Sequence, residues 1–516
     1  MSTSDVGSRL LNPSLQTTNR APPRIQSDTK HRYAKIQISQ CDLQWVDPVG
    51  PIRTHDVINP ATEEVYARIA LGSKEDVDRA VQAAKDAFPA FSVTSPEYRA
   101  ELLEKIVVAY NKRKEAIAES ISKEMGAPMW LAKTAQQGAG SGHFRACAEV
   151  LRKNAIKFTE NRGSHIIRRE PIGVCGFICP WNWPANQIGN KIAPAIAAGC
   201  TSVLKPSEFT PIDAILIMEA IHEAGVPKGV VNLVNGDGPG VGQWISSHPE
   251  IEMVSFTGST RAGIEIAKAA APTVKRVAQE LGGKSPNIIT PDAPLEEAVT
   301  KGVITMMNNS GQSCNAPSRM LIHRPQYQQA VEIAAKVAQT IKVSDPVKSG
   351  RGEIGPVANI NQFKKIQALL QKGIDEGASA VVGGPGKPEG FDKGYYIKPT
   401  IFANVNNNMT IAREEIFGPV LCMIPYDNLE HAIQIANDTP YGLSAYVYAK
   451  DSLAAAKIAS RLRAGQVLLQ GKTFDSHTPF GGYKQSGNGR EAGEFGILEF
   501  LEVKAVVGAP PEAARL

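Results

Sequence analysis

No apolar run in this chain approaches the roughly 20 residues that cross a bilayer, so a membrane-embedded function is excluded. The first residues lack the apolar core of a secretory signal. Residues 1–30 are rich in Ser, Thr, Pro and Arg, but Asp5, Pro13, Pro22 and Pro23 spoil the amphipathic helix of a transit peptide. A disordered or extended tail is expected over residues 1–35. Cysteine is scarce and odd in number, at seven, which argues against a disulfide framework. Cys175 and Cys179 have no matching second pair, so no metal site is expected. A reducing, cytoplasmic setting is the simplest inference. Charge is also short: the net value is +5, and residues 1–45 account for +3 of it. The near-neutral remainder argues against a nucleic-acid surface.

At 516 residues the chain is too long for one core, and about two to four domains are expected. A short strand and turn are expected at 56–62. Ser73 and Asp76 stand at capping-box spacing before a helix, Ser95-Pro96 opens a second helix, and Gly126 ends a further helical run. From residue 164 the pattern changes. A half-exposed strand at 164–170 and a buried one at 173–179 lead into helices at 185–198, 211–224, 240–247 and 260–271. These alternate with strands at 201–204, 230–234, 253–256 and 276–279. That alternation predicts a mainly parallel sheet covered by helices, with ligands at the carboxyl ends of its strands. Residues 287–480 read as a second α/β unit, with strands near 420–424 and 445–448 and a helix at 428–437. The alternating stretch 500–507 needs a partner edge, from 164–170 or from another subunit.

The strand ends carry the candidate chemistry. Lys205 and Glu208 suit the two hydroxyls of a ribose, the lysine donating and the carboxylate accepting; a solvated salt bridge fits equally well. The carboxylate would repel a 2′-phosphate, which favours NAD over NADP. The glycines of 236–242, Gly238 among them, do not form G-x-G-x-x-G, because residue 241 is valine. They read as a loop against a ligand or simply as a turn. Gly258 and Ser259 leave a strand and open a helix, where N–H groups face phosphate; a plain helix cap fits as well. Glu280, at a strand end before Gly282-Gly283, suits a partly buried general base, though a surface glutamate is the commoner case. Asn182 lies between two tryptophans and two prolines, which would fix its amide as an oxyanion donor or simply as a loop asparagine. Cys314 follows an amide- and glycine-rich stretch, Asn308-Asn309-Ser310-Gly311-Gln312-Ser313, at the end of a helical run. It suits a nucleophile that meets solvent and ligand, or equally a loop cysteine with no role, whereas Cys147, Cys175, Cys179 and Cys422 sit among apolar residues as small buried hydrophobes.

These blocks, with Glu415-Ile416-Phe417-Gly418-Pro419 and Pro479-Phe480-Gly481-Gly482, resemble the NAD(P)-dependent aldehyde dehydrogenase superfamily over residues 40–510. The resemblance implies a Rossmann-like parallel-sheet cofactor domain (36–152 and 173–286) and a second α/β catalytic domain (287–485). It also implies a small β-hairpin oligomerisation arm with a C-terminal strand (153–172 and 486–516). It implies oxidation of an aldehyde to an acid with NAD+, by a homodimer or homotetramer. Cys314 would attack the carbonyl, Asn182 and the Cys314 N–H would hold the oxyanion, and Glu280 would activate the water that hydrolyses the thioester. Lys205 and Glu208 would hold the adenosine ribose, Gly258 and Ser259 the pyrophosphate, with Ile178 and Trp181 along the cofactor. Glu415 and Phe417 would position the nicotinamide end. Ser313, Asn315, Asn186, Gln187, Asn190 and the polar stretch 471–478 suggest a polar or acid-bearing aldehyde. The alternatives are a CoA-acylating enzyme, which needs no base such as Glu280, and a thiol esterase. The esterase would want a histidine activator, and none of the nine histidines stands in a motif with Cys314.

Overall fold

The structure, a computed structural model, describes residues 36–37, 45–510 and 512–513. The tail expected over 1–35 lies outside the described residues. Three sheets organise the rest. The first has six strands in the order Gly487–Asn488, Arg276–Glu280, Met253–Thr257, Val174–Ile178, Thr201–Lys205, Val231–Leu233. All neighbours are parallel except the short edge strand Gly487–Asn488. Chain order runs outward in both directions from Val174–Ile178. The switch point of this doubly wound sheet therefore lies between Val174–Ile178 and Met253–Thr257, where ligands bind in such folds. Pro180-Trp181-Asn182 leaves one of these strands and Gly258-Ser259 leaves the other.

The expected caps set the surrounding helices. Ser73 accepts from the Asp76 N–H and the Asp76 carboxylate takes the Ser73 N–H, opening the helix Lys74–Ser92. Ser95 caps Pro96–Asn111, and Gly126 closes Lys114–Met125 in the left-handed conformation. The helix Pro184–Ala198 is buried along nearly its whole length, between Gln137–Arg152 and the sheet. Two features go beyond the sequence reading. The strand expected at 56–62 is half of a hairpin, Arg53–Asn59 with Glu64–Leu71. The helix expected at 240–247 begins as a π-turn over Gly238–Gly242, and a second π-turn spans Ala132–Gln136.

The second sheet has seven strands, ordered Ser379–Val382, Thr400–Ala403, Val420–Tyr426, Arg319–His323, Pro286–Ile289, Ser444–Tyr448, Gln466–Leu469. It is parallel except at the Ser379–Val382 edge. The third is antiparallel: Leu501–Val507 pairs with His165–Pro171, which pairs with Thr159–Asn161. The C-terminal strand thus finds an edge within its own chain. The segment just before it, grouped with the arm by sequence, lies against the first sheet instead. Gly487–Asn488 extends that sheet and the helix Gly493–Leu498 packs on Pro184–Ala198. Phe177 and Phe500 meet edge to face with centroids 5.8 Å apart, tying this segment to the core.

Candidate active site

The first sheet and the loop that ends the helix Leu295–Met307 enclose a cleft of about 730 Å³, whose walls include Trp181, Asn182, Gly258, Glu280, Cys314 and Phe417. Ser259 and Glu415 also line it. Of the twelve residues singled out from sequence, eight therefore share one cavity. Ile178, Lys205, Glu208 and Gly238 do not line it. They stand nearby at the carboxyl edge of the sheet: Ile178 and Lys205 are register partners, and the Lys205 ammonium donates to the Gly236 carbonyl at 2.8 Å. The same ammonium meets the Glu208 carboxylate at 3.3 Å.

Cys314 owes its position to a strained and heavily bonded loop. Asn309 and Ser310 both adopt positive φ, at 54°, where non-glycine residues are uncommon. Gly311, at φ 71°, presses on the Gly418 carbonyl, leaving no room for a Cβ. The loop is held from several sides. The Gln136 amide donates to Asn309 Oδ1 at 2.8 Å, and Asn309 Nδ2 donates to the Asn182 carbonyl at 2.9 Å. Ser310 Oγ donates to the Gly355 carbonyl at 2.7 Å, and Trp183 Nε1 donates to Ser313 Oγ at 2.8 Å. Such strain persists only where the surroundings over-determine it. Asn182 Nδ2 donates to the Gln312 carbonyl at 3.1 Å, which fixes the amide beside the thiol; an amide has a second N–H to offer. Burial pushes the Cys314 thiol up, and the carboxylates of Glu415, Glu280 and Glu491 add to the effect.

Glu280 is 4% exposed, and neither carboxylate oxygen has a hydrogen-bond partner among the described residues. Burial raises it well above the usual carboxylate range, with a further push from Glu491. A small cavity behind it joins Glu280 to Asn190, Glu491 and Glu499. There the fully buried Lys191 donates to Glu491 Oε1 at 2.7 Å and to Ser255 Oγ at 2.9 Å. Sequence reasoning missed Lys191, Glu491 and Gln136. Only Lys191 left a signal, as a lone charge in the apolar run 188–198. Glu415 accepts from the Gly283 N–H at 3.0 Å, and burial raises its carboxyl as well. Phe417, at φ 60°, is held by Gln362, whose amide donates to the carbonyls of Ile416 and Phe417. Its ring meets Trp181 edge to face, with centroids 5.5 Å apart.

These residues fit a dinucleotide. The cleft opens at the switch point, the N–H groups of the helix Thr260–Ala270 begin at its wall, and Thr257 Oγ1 is a buried polar atom without a partner there. The residues cited for a polar substrate divide. Gln187 and Asn190 are buried in the core, Asn190 donates to Glu491, and Asn186 pairs with His143. These bonds turn Asn190 and Asn186 to packing. Ser313, Asn315 and 471–474, by contrast, line a second cavity of about 840 Å³ beside the Cys314 loop. Among the described residues no helix is long and apolar enough to cross a membrane.

The Aldehyde dehydrogenase family matches residues 45–506. A curated relative, the 3-succinoylsemialdehyde-pyridine dehydrogenase of a Pseudomonas species, is 54% identical over 468 residues, covering 90% of this chain and 97% of that protein. A variant of aldehyde dehydrogenase C from Pseudomonas syringae, solved with NAD+ and octanal, is 50% identical. Its TM-score is 0.91, and the match covers 95% of this chain and 99% of that one. The Mycobacterium tuberculosis aldehyde dehydrogenase solved with NAD+ is 39% identical with a TM-score of 0.88, covering 92% and 98%. The chain therefore belongs to the aldehyde dehydrogenase family, as an NAD-dependent enzyme that oxidises aldehydes.

Proposed function

We propose that Cys314 is the nucleophile, Asn182 the oxyanion donor and Glu280 the general base of this oxidation, with a polar aldehyde as substrate. One observation carries the assignment: a thiol, a fixed amide and an unpartnered buried carboxylate face the same cleft. NAD+, when bound, supplies the oxidant that takes the aldehyde hydrogen. Lys205 and Glu208 would hold its adenosine ribose, Ser259 and the following helix its pyrophosphate, and Glu415 and Phe417 its nicotinamide end. The Cys314 thiolate adds to the carbonyl, and the second Asn182 N–H and the Cys314 N–H stabilise the oxyanion. Collapse of that adduct leaves a thioester on Cys314. Glu280 takes a proton from water, which attacks the thioester and releases the acid. Its raised proton affinity suits that transfer near neutral pH. Glu491, bound by Lys191, lines the small cavity behind Glu280.

The polar substrate rests on the second cavity, where Thr305, Asn308, Asn315 and Thr473 stand among aromatic side chains. The keto-aldehyde named for the Pseudomonas relative is of this kind, whereas octanal in the P. syringae relative is not. The test uses two variants. Cys314→Ser should abolish NADH formation while retaining NAD+ binding by calorimetry. Glu280→Gln should give one burst of NADH and then turn over about 10²–10³-fold more slowly. Steady NADH formation by Cys314→Ser would remove Cys314 from the mechanism.

A further inference from the structure

The two cavities beside Cys314 differ in charge. The first is lined by Glu280, Glu415 and Lys365, both signs together. The second contains no carboxylate among its described lining residues, and one cation, Lys472. Its neighbours make contacts of their own. Glu297 takes Lys301, whose side chain packs beside Gly471. Asp475 and Glu149 both meet His477, at 3.1 and 3.3 Å. The His477–Glu149 contact ties the segment 471–478 to the helix Gln137–Arg152, and Lys472 of that segment is an exposed lining residue of the cavity. The inner wall is aromatic, from Trp183, Tyr446 and Phe474, and Tyr446 is fixed by donating to the Asn315 carbonyl at 2.9 Å. A substrate with its carbonyl at Cys314 thus has a flat apolar wall along its length and one positive charge at its far end.

We infer that Lys472 is a specificity residue that selects aldehydes carrying a carboxylate at the end remote from the reacting carbonyl. The inference rests on the catalytic reading above and narrows its substrate class. The ammonium of Lys472 receives the tail of such a substrate, in a cavity that offers it no carboxylate among the described lining residues. Because Lys472 is exposed, the ion pair is screened, and its effect is about fivefold in binding. Salt weakens it further.

The test compares ω-oxo carboxylates of increasing length with their methyl esters, following NADH formation. In the parent protein the acid-to-ester ratio of kcat/KM should be highest at one chain length and fall as salt is added. Lys472→Gln should lower kcat/KM for that acid about fivefold through KM, leaving kcat and every ester unchanged. Lys472→Glu should invert the preference. The same acid-to-ester ratio in the parent and in Lys472→Gln at every length would overturn the inference. Ester oxidation by all the proteins checks folding. If the parent oxidised none of these compounds but did oxidise an alkanal, the substrate class would fail while the catalytic assignment stood.

Discussion

Gly283→Ala isolates the contact that sets the depth of Cys314. Gly283 is not in the left-handed region, so alanine is conformationally allowed and only the steric effect is tested. Its Cβ would stand 2.4 Å from the Cys314 carbonyl oxygen and 3.3 Å from Leu443 Cβ. Relief to ordinary contact requires the carbonyl to retreat by about 1 Å, a displacement that can cost 10²-fold in rate. The loop has little slack, because Asn309 and Ser310 are already strained and bonded on several sides. We expect kcat/KM to fall about 10²-fold, equivalent to about 2.7 kcal/mol of lost transition-state stabilisation. The overpacking should cost about 1–3 kcal/mol of stability and lower Tm by a few degrees. NADH absorbance gives the rate and circular dichroism the Tm. Gly138→Ala is the control: it lies in a helix with open space around it, so it should keep full activity with unchanged or slightly raised Tm. If Gly283→Ala kept kcat/KM within about twofold of the parent, the claim that this contact positions Cys314 would be wrong.

Two further outcomes follow from other buried charges. Glu124 accepts the N–H groups of Ile212 and Asp213, both at 3.0 Å, so it caps the helix Ile212–Glu223. The adjoining Asp213 carboxyl is raised by burial to about 8, and Glu124 is raised too, by burial and then by Asp213. Since the folded state holds these protons more tightly than the unfolded chain, their contribution is full below about pH 4 and is lost as pH rises through about 8. The loss reaches about 1.4 kcal/mol per pH unit for each proton. Tm should therefore fall between about pH 6 and pH 8.5, and Asp213→Asn should flatten that fall; parallel profiles would refute the assignment. Lys205→Ala should raise KM for NAD+ at least about tenfold with little change in kcat, and Glu208→Gln should improve use of NADP+ relative to NAD+. Unchanged constants for both cofactors in both variants would place the ribose elsewhere.

Motifs that act through backbone position were legible in the sequence. Gly258-Ser259 and Pro180-Trp181-Asn182 follow apolar strands directly, and chain order alone sends both to the carboxyl edge of a parallel sheet. Caps were legible for the same reason, because Ser73 and Asp76 act within one turn. Side chains whose partners lie hundreds of residues away were not. Asn190 reads as a polar residue facing a ligand, yet its amide is claimed by Glu491, and nothing near either residue announces the pairing. Gln136 is equally silent, since its role depends on a π-turn that carries its amide to Asn309. Helix periodicity gives the facing of Asn186 and Gln187 only relative to one another; the tertiary packing decides which face meets a cavity.

The site also explains why so much unfavourable electrostatics is retained. Among the described residues the Glu280 carboxylate has no hydrogen bond and that of Glu415 accepts from the Gly283 N–H, and Cys314 lines the same cleft as both. Each carboxylate makes the thiol harder to ionise, so no single group here is optimised for its own stability. The same burial raises Glu280 toward the range where a carboxylate can accept a proton from water at neutral pH. Pairing it with a nearby cation would undo that. Lys191 is close enough to lower Glu280, but its own ammonium is bound to Glu491 and Ser255, which holds it back from a direct ion pair. A second cation at Glu280 would stabilise the fold and weaken the base. The orphaned carboxylate is therefore best understood as the part of the site that stability alone would have removed.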